Sequence, residues 1–179
     1  MENLLVSEKL YPFHVENSPI SGGSIVIFFD HGVRKKTRNY IRKLNNDIES
    51  KVNKVSAWRK FALSVKEHKK TIKFFFNNNK NKKILGFGSS ARSQTFLNYC
   101  KINNNDINLI FDNNILKQNL YSPGSNILIT NINSNSLKEN DFIFILAWNF
   151  KKEIILQCKQ LGFKGKFVTC FPNNIKIER

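Results

Sequence analysis

At 179 residues the chain holds one full domain plus a smaller piece, and 41% apolar content with 16 phenylalanines excludes global disorder. No apolar run reaches the ~18 residues that span a bilayer, and MENLLVSEKLYPF lacks the basic-then-apolar plan of a signal peptide, so a cytoplasmic protein without a membrane partner is expected. The net charge of +16 invites a nucleic-acid reading, but lysine enriched together with asparagine, isoleucine and phenylalanine is what an AT-rich coding bias yields, and no recognition-helix, zinc-finger or RNP-type signature accompanies it.

In chain order, residues 13–30 (FHVENSPISGGSIVIFFD) carry two β-rich runs broken by SPISGG, the pattern of an antiparallel hairpin. A lone hairpin is marginal in water, so this piece must lean on something else. Residues 34–76 contain no glycine or proline. There Ile41, Leu44, Ile48, Val52 and Val55 form one helical stripe, and Trp58, Phe61, Ala62 and Val65 form a second that runs towards Ile72. The spacing predicts one long or broken helix that packs against a neighbouring domain and ends at the polar NNNKNKK.

From residue 83 strands and helices alternate: strand KILGF, helix Ala91 to Cys100, strands INLIFD, NILIT and the long DFIFILAW, helix Lys151 to Leu161 closed by Gly162, and strand KFVTCF. Runs apolar on both faces predict a parallel, Rossmann-like α/β sheet flanked by helices. Cys100, Cys158 and Cys170 are scattered with no CxxC pair, and read as buried thiols rather than metal ligands.

The loop Gly86-x-Gly88-x-x-Ala91, between a strand and a helix, fits the dinucleotide fingerprint in form. Its first glycine allows a tight turn, and its second allows backbone to approach a phosphate. The helix N–H groups behind it favour an anion. Ligands of open α/β sheets sit beyond the carboxyl ends of the strands, where Arg92 and Lys117 offer positive charge. Ser89, Ser90, Thr95, Asn113 and Asn149 offer hydrogen bonds there. Asp112 stands where such folds grip a ribose hydroxyl, or else it forms a turn before Asn113. Trp148 is a flat face for a base or sugar, or a half-buried packing residue, and Lys117 is also readable as plain surface charge.

GFGSSARSQTFLNYC, FDNNILKQNLYSPG and ILAWNF, in this order and spacing, resemble the C-terminal domain of the S-adenosylmethionine-dependent C-methyltransferases that act on nucleotide-linked deoxysugars. Upstream, ENSPISGGSIVIFF resembles the closing strands of that family's methyltransferase domain, and residues 34–80 its connecting helices. The resemblance implies three parts: a remnant of the methyltransferase domain over 1–33, a helical connector over 34–80, and a Rossmann-like C-terminal domain over 81–179. It also implies a substrate-side site for a nucleotide-linked sugar built from Gly86, Gly88, Ser89, Arg92, Thr95, Asp112, Lys117, Trp148 and Asn149. Departures are Arg92-Ser93 in place of a usual lysine-glycine, Asn119 in place of a glycine, and Val26 in place of an arginine.

The family's four-cysteine zinc site and its acidic-Gly-x-Gly loop for S-adenosylmethionine have no counterpart in this sequence, and His14, His31 and His68 lie in no catalytic segment of the family's kind. No cofactor is therefore expected in this chain, although the full-length family uses S-adenosylmethionine and zinc. The chain is expected to be inactive alone, as a truncated form or as a split subunit. A separate methyltransferase subunit or self-association would then cover its apolar faces. The alternative is a small Rossmann-like nucleotide- or NAD-binding protein.

Overall fold

The computed structural model describes residues 2–20, 23–137, 140–171 and 174–179. The chain divides into two compact units, Met1–Leu63 and Ser64–Arg179.

The first unit holds α1 (Glu2–Ser7), β1 (Tyr11–Ser18), β2 (Ser24–Asp30), α2 (Arg38–Glu49) and the first turns of α3 (Val55–Asn78). The expected hairpin forms, with β1 and β2 antiparallel from Tyr11 opposite Asp30 to Ser18 opposite Ser24. A register shift between Pro12 and His14 turns the Phe13 carbonyl outward, and it accepts from the Thr37 N–H at 2.9 Å. Thr37 is the N-cap of α2, so the bulge seats the helix on the hairpin. His14 Nδ1 lies 2.8 Å from the Thr37 hydroxyl and strengthens the same junction. Tyr40, buried one turn later, has its phenol pushed up to about 12 by that burial and by a hydrogen bond to Glu2.

The helical segment is broken. α2 ends on a left-handed Lys51, whose N–H donates to the Ile48 carbonyl, and α3 begins at Val55. The apolar stripe read from the sequence is exposed in this chain: Ile41, Leu44, Ile48, Val52, Trp58 and Phe61 all face solvent. On the hairpin, Ile25, Val26, Phe28 and Phe29 do the same.

The second unit contains the rest of α3, then β3 (Ile84–Phe87), α4 (Ala91–Cys100), β4 (Ile110–Phe111), β5 (Ile129–Thr130), α5 (Ser134–Leu137), β6 (Phe142–Ile145), α6 (Lys151–Gln160), β7 (Lys166–Thr169) and β8 (Lys176–Glu178). The sheet order is β5-β4-β3-β6-β7-β8. All pairs are parallel except the last, in which the unexpected β8 runs antiparallel along β7. Alternate residues feed two cores. Ile84, Phe142, Phe144 and Val168 pack with α4 and with Ile72, Phe75 and Phe76 of α3. Leu85, Phe87, Ile143, Ile145 and Phe167 pack with Ile154 and Cys158 of α6. A sheet apolar on both faces is thereby covered on both faces. The end of the helical segment joins the α/β core because three large apolar residues of α3 bury against the sheet. The boundary between the two compact units falls inside α3.

The run DFIFILAW is shorter as a strand than its composition predicts. The N–H groups of Leu146 and Ala147 both donate to the Phe87 carbonyl, at 2.9 and 3.0 Å, which ends the ladder and starts a 3-10 turn at Trp148–Phe150. α6 closes at Gly162 as read: φ is +87°, and Phe163 and Gly162 donate back to Cys158 and Lys159.

Candidate functional site

The sheet reverses its winding direction between β3 and β6, and in open α/β sheets that switch point, at the carboxyl edge, is where a ligand crevice opens. The segments at this edge are 88–90 after β3, 112–121 after β4 and 146–149 after β6.

Gly86 near the end of β3 and Gly88 after it are explained by packing. A side chain on Gly86 would meet Ile110 at 2.9 Å and Leu146 at 3.1 Å, so its absence lets the neighbouring strands close over β3. Gly88 has φ +96°, and the space where its side chain would stand is taken by Ala147. The close backbone approach expected there is thus made by the loop after β6. Ser90 then caps α4 in a reciprocal box: the Ser93 N–H donates to Ser90 Oγ at 3.2 Å, and the Ser90 N–H donates to Ser93 Oγ at 3.3 Å. Ser93 is one of the departures from the family pattern, and it supplies the second half of this cap.

Ser89, buried between them, has every polar group engaged. Its N–H donates to Asp112 Oδ2 at 2.7 Å, its carbonyl accepts from Lys117 Nζ at 2.8 Å, and its hydroxyl accepts from Gln94 Nε2 at 2.8 Å. Asp112 Oδ2 also accepts from Lys117 Nζ at 3.3 Å, while Oδ1 accepts from the Asn114 N–H at 2.8 Å. Asp112 therefore combines the turn-forming role with a bond across to the first loop. Lys117 is an anchored cation whose charge is fixed beside that loop.

Arg92 places its guanidinium over the Trp148 ring, 5.5 Å from the centroid. Phe171 meets the same ring at 6.0 Å. Trp148 is accordingly a half-buried packing residue that also seats a cation. Asn149 lies in the same 3-10 turn. Thr95 turns its hydroxyl back to the Ala91 carbonyl at 3.1 Å, one helical turn past the loop. The structure thus brings Gly86, Gly88, Ser89, Arg92, Asp112 and Lys117 to one edge, with Trp148 held there by Arg92. Thr95 bonds within its own helix.

Several contributors escaped the sequence reading. Asn114 caps the 3-10 turn Ile115–Lys117, and Gln118 Nε2 donates to the Asp112 carbonyl at 3.2 Å. Gln157 of α6 exchanges a pair of 3.3 Å hydrogen bonds with Asn113. The Asp-x-Asn spacing at 112–114 was an available turn signal, but nothing local points to Gln157. Asn119 adopts φ +63°, a left-handed conformation that asparagine tolerates, so the backbone geometry of the usual glycine is kept.

The residues present do not fit zinc. The three cysteines are buried in the two cores, and the described residues include no cluster of three or more His, Cys, Asp or Glu able to hold a metal. The first loop also lacks the acidic residue that precedes the Gly-x-Gly of the family's S-adenosylmethionine loop, because Leu85 stands before Gly86. Among the described residues no helix is long and apolar enough to cross a membrane. A groove of about 510 Å³ belongs to the first unit, lined by apolar residues such as Leu5, Val15, Ile25, Leu44 and Ile48, and contains none of the edge residues.

Residues 19–172 match the family described as the C-methyltransferase C-terminal domain. The chain is also similar to the C-methyltransferase NovU of Streptomyces niveus, at 26% identity over 177 residues. That alignment covers 94% of this chain and 41% of the relative, so the chain spans less than half the length of the curated relative it matches.

Proposed function

Since the chain belongs to the C-methyltransferase C-terminal domain family, we propose that it is the substrate-side part of an S-adenosylmethionine-dependent C-methyltransferase acting on a nucleotide-linked sugar, and that it transfers no methyl group by itself. The observation that carries this reading is the pair of held cations at the sheet's carboxyl edge. Lys117 is tied to the Ser89 carbonyl and to Asp112, and Arg92 lies over Trp148. Cations held in place lose little freedom on meeting a diphosphate, so their attraction is spent on binding. The edge also sits at the switch point, where the fold favours a ligand.

Methyl transfer to carbon needs the donor sulfonium beside the acceptor and a base to generate the carbanion. The sheet edge offers neither a donor loop nor a base aimed at a free position. S-adenosylmethionine would supply the methyl group from elsewhere, either in a separate methyltransferase subunit or in a larger assembly. This chain's residues would bind and orient the nucleotide end of the substrate. The apolar, exposed hairpin and α2 supply a surface for such a partner or for self-association.

The test is titration with a nucleoside diphosphate followed by NMR shift mapping, with S-adenosylmethionine titrated in parallel by calorimetry. Shifts should cluster at residues 86–95, 112–117 and 148. Arg92→Ala and Lys117→Ala should each weaken binding about tenfold, the loss of roughly one charge-assisted contact. Shifts confined to the lysine-rich helix α3 would overturn the site. Low-micromolar S-adenosylmethionine binding would overturn the proposal that the donor is held elsewhere.

A further inference from the structure

The loop that opens α4 already holds an anion, and it is the chain's own. The N–H of Ser89 is one of those that meet a phosphate in loops of this form. Here it donates to Asp112 Oδ2 at 2.7 Å, a short, charge-assisted bond. Lys117 Nζ bridges the two partners, reaching the Ser89 carbonyl at 2.8 Å and the Asp112 carboxylate at 3.3 Å. One N–H at this distance and in this direction serves one acceptor well. A ligand phosphate and the Asp112 carboxylate therefore compete for the same donor.

We propose that Asp112 is a resident competitor at the substrate edge: a phosphate reaches the Ser89 amide only by displacing this carboxylate. The proposal rests on the reading that the edge takes a nucleotide-linked ligand, and it specifies what sets that ligand's affinity. Three features favour exchange over a permanent clamp. The Asp112 and Lys117 side chains are 12% and 37% exposed, so an incoming ligand can touch the pair and a displaced oxygen can reach water. Oδ1 has its own donor, the Asn114 N–H at 2.8 Å, so the carboxylate keeps a hydrogen bond when Oδ2 gives up the Ser89 amide. Lys117 bonds the Ser89 carbonyl as well as the carboxylate, so the ammonium stays in place while one anion replaces another beside it. The exchange sets the ligand's negative charge beside Lys117 and leaves the displaced carboxylate to water. It also discriminates: a diphosphate competes with a carboxylate, and an uncharged sugar does not.

The experiment titrates the full chain with inorganic pyrophosphate and follows the Ser89 amide by NMR in wild type, Asp112→Ala, Asp112→Asn and Glu153→Gln. Glu153 is exposed in the first turn of α6, at the same end of the sheet, and controls for loss of one negative charge. Asp112→Ala should bind pyrophosphate at least tenfold more tightly than wild type, with the Ser89 amide moving. Asp112→Asn should fall between, because a neutral carboxamide oxygen holds the amide more weakly and preserves the loop if alanine loosens it. Glu153→Gln should match wild type. Equal binding at Ser89 by wild type and both Asp112 variants would overturn the competitor and leave the nucleotide site standing. A gain in Glu153→Gln as large as in Asp112→Ala would also overturn it, as general electrostatics. A Ser89 amide silent in every variant, with nucleoside-diphosphate shifts still present at Arg92 and Trp148, would overturn the competitor alone. Silence at all three residues would remove the site as well.

Discussion

A methyl group on Gly88 would overlap the Cβ of Ala147 and lie 3.0 Å from the Ala147 backbone nitrogen. The loop after β6 therefore presses directly on the end of β3, at the switch point of the sheet. Gly88→Ala should cost roughly 1–3 kcal/mol for forcing a side chain onto φ +96°, with a further penalty of about 1–3 kcal/mol for overpacking. Gly162 has φ +87° but open space around it, so Gly162→Ala should show the backbone cost alone. Urea unfolding of the two variants checks this, and equal losses would contradict the contact.

His68 should give stability a dependence on mildly acidic pH. Its ring lies among Phe96 and Phe171, its Nε2 is buried with no hydrogen-bond partner, and burial holds its pKa below the usual value of about 6.5. A depressed folded pKa means that the unfolded chain takes up the proton first. Stability is then present above about pH 6.5 and is lost as pH falls through the folded value. His68→Phe should flatten this limb in thermal melts taken between about pH 7 and pH 5. Asp141 acts in a separate window. The Lys83 N–H and then Lys82 hold its carboxyl below the usual carboxylate range, so its contribution is lost only below about pH 4 and survives in His68→Phe.

The three thiols should resist alkylation until the protein unfolds. Burial pushes Cys100 up to about 11 and Cys158 up to about 12, and raises Cys170 as well. The thiolate is the reactive species, so both access and ionisation oppose labelling. Iodoacetamide at neutral pH should modify all three in denaturant and leave them intact in buffer. Rapid modification of the folded chain would show that the cores open far more readily than this packing allows.

The first unit should drive association at high concentration. Ile25, Val26, Phe28 and Phe29 of the hairpin and Ile41, Leu44 and Ile48 of α2 are all exposed in one compact unit, and exposed apolar surface of this extent favours contact with other molecules. Sedimentation should show species larger than a monomer, shifted towards monomer by Phe29→Ser and Ile48→Ser. A monomer at all concentrations would argue that this surface is self-sufficient.

Periodicity and composition determined the parts of this protein whose cause is local. Ile143 and Ile145 alternate with Phe142 and Phe144, all four apolar, which requires cover on both faces and hence a sheet between helices. Ser90 and Ser93 flank the start of a helix, and Gly162 ends another, because caps are set by residues one turn apart. The amphipathic stripe of residues 41–55 was legible for the same reason, although periodicity states only that a face is apolar. Only the structure shows that in this chain the face is uncovered. The character of the site was decided in three dimensions. Gly88 reads as a glycine needed for close approach, and the fold shows that Ala147, far along the chain, is one neighbour that makes this approach. Asp112 reads as a ribose ligand or a turn until its carboxylate is found on the amide of Ser89, 23 residues earlier. A carboxylate bonds whichever donor lies within about 3 Å, and the fold brings that donor within reach by pairing β3 with β4, which no local pattern encodes.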